Sequence, residues 1–204
     1  MGDVTSRAAR SGVDKFAVRR RELADAALTA VAERGFANTG LRDVAARTEL
    51  SLGLLHYYFD DKDDLIGQAI WQYKSECARR YDPIIETAQT GIELAERFGV
   101  EIAATLRDEA DMHRLWYDLR NQALFDSGFR DTIIAIDKLL SDMVWAVVVR
   151  YAELEGRKPS VGAISAYALF DGIFLNSLIA YLRGDFEALE RLRVASIHLL
   201  TGGV

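Results

Sequence analysis

The chain has 204 residues, half of them apolar and about a quarter charged, with two prolines and a net charge of −6. This length fits one domain, or a small domain joined to a medium one, and the composition excludes the disordered and fibrous classes. The lone cysteine, Cys77, excludes a disulfide framework or thiolate cage, and the scattered His56, His113 and His198 show no ligand spacing; no metal and no cofactor is expected.

Charge is unevenly distributed from the N-terminus onward. Residues 1–58 carry +2 and residues 59–204 carry −8, with Arg7, Arg10, Lys15 and the run Arg19, Arg20, Arg21 gathered before the first strongly periodic segment. This pattern suits either a local polyanion-binding surface or a solvated basic tail, and charge alone does not choose. Residues 1–16 are expected to form a flexible basic arm. The opening MGDVTSRAARSG lacks the apolar core of a signal peptide, so a cytoplasmic protein is expected.

From Arg19 to Arg34, Leu23, Ala27, Ala30 and Val31 recur at helical spacing, and Gly35 ends the run as a C-terminal cap would. Leu41, Val44, Ala45 and Thr48 then share one face of a two-turn helix. Ser51 is placed to cap another short helix whose inward face would hold Leu52 or Gly53, Leu55 and Phe59, and Asp60 or Asp61 to cap a longer one from Lys62 towards Arg80. Further helices are expected at 84–90, 92–107, 109–125, 130–155, 160–183 and 186–201, punctuated by Gly91, Gly128, Gly156 with Pro159, and Gly184. No segment has the alternation and turn chemistry of a hairpin. The stretch Val161–Leu182 is apolar enough for a membrane span. Asp171 at its centre would cost about 2.5–3.5 kcal/mol there, so a buried helix and no membrane partner are expected. The predicted fold is all-α: an N-terminal three-helix bundle followed by a larger C-terminal helical domain.

The informative segment is GFANTGLRDVAARTELSLGLLHYYFDDKDDL, residues 35–65. Two short helices joined by a tight turn at Thr48–Leu50 make a helix-turn-helix, whose second helix must be short and anchored by apolar side chains to enter a major groove about 12 Å wide. Gly53 would let the backbone approach DNA closely. Thr39 and Ser51, at helix starts, and Lys62 suit phosphate contacts. Leu52, Leu54, His56 and Tyr57 cannot all be buried in one short helix, so some of them face outward. Tyr58 suits both packing and phosphate, and Arg42 is a surface cation on the first of the two helices.

Gly35-Phe36, Thr39, Ser51, Gly53, Leu55, Tyr58-Phe59, Lys62-Asp63 and Leu65 stand at the spacings of the DNA-binding motif of the TetR family of bacterial regulators, which residues 17–65 resemble. Two positions depart from that pattern. Glu49 replaces the usual turn glycine, implying either a left-handed residue strained by about 1 kcal/mol or a different turn. His56 stands where a tyrosine is frequent. The resemblance implies a cytoplasmic, homodimeric regulator, a repressor in the first instance. It would bind near-palindromic operator DNA through residues 17–77, and a small amphipathic or hydrophobic effector through residues 78–204. Its last two helices would pair with their twin.

Trp116, Tyr117, Arg120, Asn121 and Leu124 mix apolar bodies with polar tips on one helix, as a pocket lining does, and Phe170, Asp171 and Phe174 form a similar set on another. Ordinary packing, with Asp171 paired to a residue such as Arg120, explains them as well. Two other classes of function compete. An enzyme would need a convergent catalytic set, and neither a nucleophile–base spacing nor a metal spacing is present. A ligand-binding or interaction module with a silent DNA-binding motif draws support from Glu49 and the modest positive charge.

Overall fold

Residues 4–36, 38–128 and 130–202 are described by the computed structural model, apart from the side chains of 4–14 and Arg34. Among them the regular structure is entirely helical: α1 (Val4–Arg34), α2 (Leu41–Arg47), α3 (Leu52–Tyr58), α4 (Lys62–Arg79), α5 (Asp82–Thr87), α6 (Gly91–Asp108), α7 (Ala110–Gln122), α8 (Arg130–Leu154), α9 (Ala163–Leu182) and α10 (Ala188–Gly202). The chain folds as two units. The first combines the residues up to Tyr73 with Leu115–Ile133, and the second combines Lys74–Arg114 with the residues from Ile134 onward.

In the first unit the periodicity of α1 produces the expected face: Leu23, Ala27, Ala30 and Val31 are buried, together with Ala24 and Leu28. Val44 of α2, Leu55 of α3, Phe59, and Leu65, Ile66, Ala69 and Ile70 of α4 complete this core. Gly35 ends α1 with φ +78°, its N–H donating to the Val31 carbonyl at 2.9 Å. Only glycine adopts that left-handed cap without strain. Helix α1 begins at Val4, inside the segment expected to be an arm, and nothing between Val4 and Val18 stops a helix beyond the tolerated Gly12.

The second unit is built around α6 and α10. Leu94, Ala95, Phe98, Ile102 and Leu106 of α6 are buried, as are Leu192, Ser196 and Leu200 of α10. Gly99 sets how closely these helices approach: a Cβ there would stand 2.9 Å from Ile197 Cγ1 and 3.0 Å from the Arg193 carbonyl oxygen. Tyr81 and Phe170 extend the core by packing on Phe98, with ring centroids 5.2 and 5.5 Å away.

The expectation for Val161–Leu182 needs correction. Helix α9 has a mean hydropathy of 1.5, and among the described residues it is the one helix long and apolar enough to cross a membrane. Within this chain, however, it is not a buried helix. Ala166, Phe170 and Leu178 are buried, whereas Ile164, Leu169, Ile179 and Leu182 are exposed, Ile164 by 85%. Hydropathy reports what a helix would gain by burial, not whether its own chain supplies the cover.

Candidate nucleic-acid interface

Local capping positions the two short helices. The Asp43 carboxylate accepts the Gly40 N–H at 2.9 Å and so fixes the start of α2. Thr48 ends it, with its hydroxyl donating to the Val44 carbonyl at 2.9 Å. Ser51 caps α3 as expected, its Oγ accepting the Leu54 N–H at 3.1 Å. The turn between them uses extended backbone at Thr48 and Ser51, and no described non-glycine residue has positive φ. Of the two readings of Glu49, the different turn is the one found.

Leu55 is fully buried, and it holds α3 with its other side outward. Ser51, Gly53, His56 and Tyr57 are exposed, with Tyr57 70% accessible, while Leu52, Leu54 and Tyr58 are half-buried. A Cβ built on Gly53 meets nothing within 4 Å, and its φ is not positive. The fold itself therefore does not require glycine at this position. Arg42 is exposed on α2.

Two expected phosphate contacts have their polar atoms engaged inside the unit. Thr39 is 3% exposed, and its hydroxyl donates to the Gly35 carbonyl at 2.8 Å, closing the α1–α2 loop. The Lys62 ammonium donates to the Phe36 carbonyl at 3.2 Å and lies 3.8 Å from the centroid of the Phe36 ring. Asp118 of α7 holds the other end of the same residue, accepting the Phe36 N–H at 2.9 Å. The loop that delivers α2 is thus gripped at both polar groups of Phe36. No local sequence signal marks Asp118, which is 82 residues away. Arg20 adds a further long-range tie by pairing with Asp64 and lying over the Phe59 ring.

The residues expected to bind an effector are divided between the two units. Trp116, Tyr117, Arg120, Asn121 and Leu124 belong to the first. There Trp116 is buried, and Arg120 lies 5.7 and 5.5 Å from the Trp116 and Tyr117 rings. Asn121 is exposed, as is Leu124, which lies in the turn beyond the end of α7. Phe170, Asp171 and Phe174 belong to α9 in the second unit, Phe170 buried and the other two half-buried.

Sequence reasoning missed a buried polar group in the second unit. Lys74 and His113 are 3% and 4% exposed, with the ammonium 3.1 Å from the imidazole Nδ1. Burial, then Lys74 and Arg80, push the His113 pKa well below its ordinary value of 6.5. A neutral ring with its Nδ1 lone pair towards Lys74, and its other N–H bonded to the Thr105 backbone, satisfies this arrangement. Arg80 grips Glu109 through two hydrogen bonds of 3.1 and 2.8 Å, and Phe174 meets the His113 ring edge-on at 4.7 Å. His198 is exposed.

Comparison with known proteins agrees with this geometry. Residues 23–69 match the family model described as bacterial regulatory proteins, tetR family. The chain is 25% identical over 191 residues to the HTH-type transcriptional regulator PksA of Bacillus subtilis, covering 85% of each. It is also 25% identical over 195 residues to the regulator BetI of Burkholderia cenocepacia, covering 90% of this chain and 94% of that one. In fold it is similar to a TetR-family regulator from Agrobacterium tumefaciens (TM-score 0.72, 16% identity, 90% and 97% covered). A second similar fold is the transcriptional regulator FadR of Bacillus subtilis, solved in complex with stearoyl-CoA (TM-score 0.69, 18% identity, 89% and 97% covered). Residues 23–69 thus carry the helix-turn-helix domain of the tetR family of bacterial regulatory proteins, and over most of its length the chain is similar to HTH-type transcriptional regulators.

Proposed function

We propose that this regulator is a homodimeric repressor whose two α3 helices enter successive major grooves of a near-palindromic operator, and which a small amphipathic or hydrophobic molecule releases. The observation that carries the DNA-reading role is Gly53. A helical glycine costs up to about 1 kcal/mol relative to alanine, and nothing inside the protein requires one here. The need for a missing side chain comes from outside, where a backbone must pass close to DNA. His56 and Tyr57 are exposed beside it to meet base edges or phosphate, and Ser51, Leu52, Leu54 and Tyr58 border them.

Pairing with a second copy is supported by the uncovered apolar side of α9 and by Gly172 in that helix, where a Cβ meets nothing within 4 Å. Two α3 helices would then need to lie about 34–36 Å apart. The effector reading is supported by the mixture of aromatic and polar side chains around His113 and Phe174, which suits a molecule with an apolar body and a polar group. Release requires that the effector bind better to a form whose α3 spacing is wrong for DNA.

The test is to select duplexes bound by the protein from a random-sequence library and measure affinity for the enriched sequence against a scrambled one at two salt concentrations. Specific binding tighter by about a thousandfold or more, lost in His56→Ala and Tyr57→Ala, is expected. Equal, weak binding to both duplexes would leave only a ligand-binding or interaction module.

A further inference from the structure

Helix α1 starts well before residues 23–69, the segment matched by the family model, and its earlier turns carry an aromatic side chain that no core uses. Phe16 is 38% exposed, and among the described side chains of α1 the first deeply buried one is Leu23. The Phe16 ring stacks on Tyr58, with centroids 4.7 Å apart and planes inclined by 29°. It meets Tyr57 edge-on at 6.0 Å and 66°, and the two tyrosines meet each other at 4.9 Å and 83°. Three rings from two helices thus form a cluster on the surface, and its outermost member, Tyr57, is 70% exposed.

We propose that Phe16 is a positioning residue for DNA binding, holding Tyr57 and Tyr58 in the orientation in which they meet the nucleic acid. This rests on the reading that α3 enters the groove. An exposed tyrosine samples several rotamers, and ordering it on association weakens binding. Stacked and edge-to-face contacts select among those rotamers before DNA arrives, and these are the geometries aromatic pairs prefer. Tyr58 is the middle of the cluster: half-buried, it touches Phe16 on α1 and Tyr57 on its own helix. Because the cluster is at the surface, removing Phe16 changes the freedom of the tyrosines far more than it changes the core. The inference extends the DNA-reading apparatus from the two short helices back to α1, outside the segment by which the family is recognised.

The test uses the full chain and the duplex enriched by the wild-type protein from a random-sequence library. Phe16→Leu keeps an apolar side chain and removes the ring, whereas Phe16→Trp keeps a ring. Phe16→Leu is expected to weaken binding by about three- to tenfold, with its melting temperature close to that of the wild type, and Phe16→Trp to restore it. In a Tyr57→Ala background the further loss from Phe16→Leu should be smaller than in the wild type, because only Tyr58 is left for Phe16 to hold. Aromatic NMR spectra of the free protein supply a readout that needs no DNA: Phe16→Leu should shift the Tyr57 and Tyr58 ring signals and leave those of Phe36 and Phe59 in place. Unchanged tyrosine signals, an unchanged affinity, or losses that multiply independently with Tyr57→Ala would each overturn the proposal. Failure of Tyr57→Ala to weaken binding, or failure to enrich any duplex, would overturn the DNA reading as well.

Discussion

Helices α3 and α9 both present a face that the chain leaves uncovered, and the two faces differ in kind. On α3 the outward residues are a serine, a glycine, an imidazole and a phenol. On α9 they include two isoleucines and two leucines. The first face can form hydrogen bonds and admits a close backbone approach, while the second is mostly apolar, with Ser165 and Asn176 as its exposed polar side chains. A polyanion with donors and acceptors along its groove suits the former, and a like apolar surface suits the latter. The contrast also holds for glycines: Gly99 is required by its own unit, where α10 would meet a Cβ, and Gly53 is not.

The largest expected effect breaks the apolar face. Leu169→Asp combined with Ile179→Asp places charges where the proposed twin would cover them, so dimerisation measured by sedimentation should weaken by about a hundredfold or more. A pair that stays equally dimeric would remove α9 from the interface. Next, Gly99→Val should cost about 1–3 kcal/mol in urea denaturation, because the α6–α10 contact cannot open without shifting backbone. An unperturbed denaturation midpoint would mean that the approach at Gly99 is loose.

The buried imidazole distinguishes the interior of the second unit from either face. His113 stays neutral in the folded chain while its unfolded counterpart gains a proton near 6.5. The unfolded state therefore binds more protons, and stability falls as pH drops below 6.5 towards the depressed folded value. The slope should reach at most about 1.4 kcal/mol per pH unit, and His113→Gln should remove that component from stability curves collected between pH 7 and 5. Parallel curves for the two proteins would show that His113 does not supply it.

The smallest effect is the sharpest test of the comparison. Gly53→Ala should leave stability unchanged or raise it by up to about 1 kcal/mol, while weakening binding to the selected duplex. Gly99→Val is expected to damage the fold, and Gly53→Ala only recognition. Undiminished DNA affinity in Gly53→Ala would show that the backbone at this turn does not approach the duplex.

Much of this architecture could be read from local signals. Gly35 and Ser51 act where their caps were expected, and Leu55 and Phe59 are buried at the spacing that one short helix dictates. Longer-range features were invisible for physical reasons. Asp118 resembles any solvated carboxylate on an amphipathic helix until tertiary folding brings it to the Phe36 N–H. Thr39 sits at a helix start, where a hydroxyl serves a phosphate or a nearby carbonyl equally well, and the fold supplies the Gly35 carbonyl. Periodicity marked α9 as apolar but could not say which chain would cover it. Phe16 lies where α1 has no strong repeat, so nothing announced a neighbour on α3.

The grip of Asp118 on Phe36 also bears on how the protein is made. The first unit is assembled from two stretches of chain, and the carboxylate that completes its α1–α2 loop is translated 82 residues after the amide it holds. At about 5–20 residues per second, a ribosome would expose the helix-turn-helix for several seconds before that partner emerged. A nascent chain ending at Tyr73 would carry every motif residue and still leave the Phe36 amide without its carboxylate. The part of this regulator named first by its sequence therefore cannot finish folding as soon as it has been made.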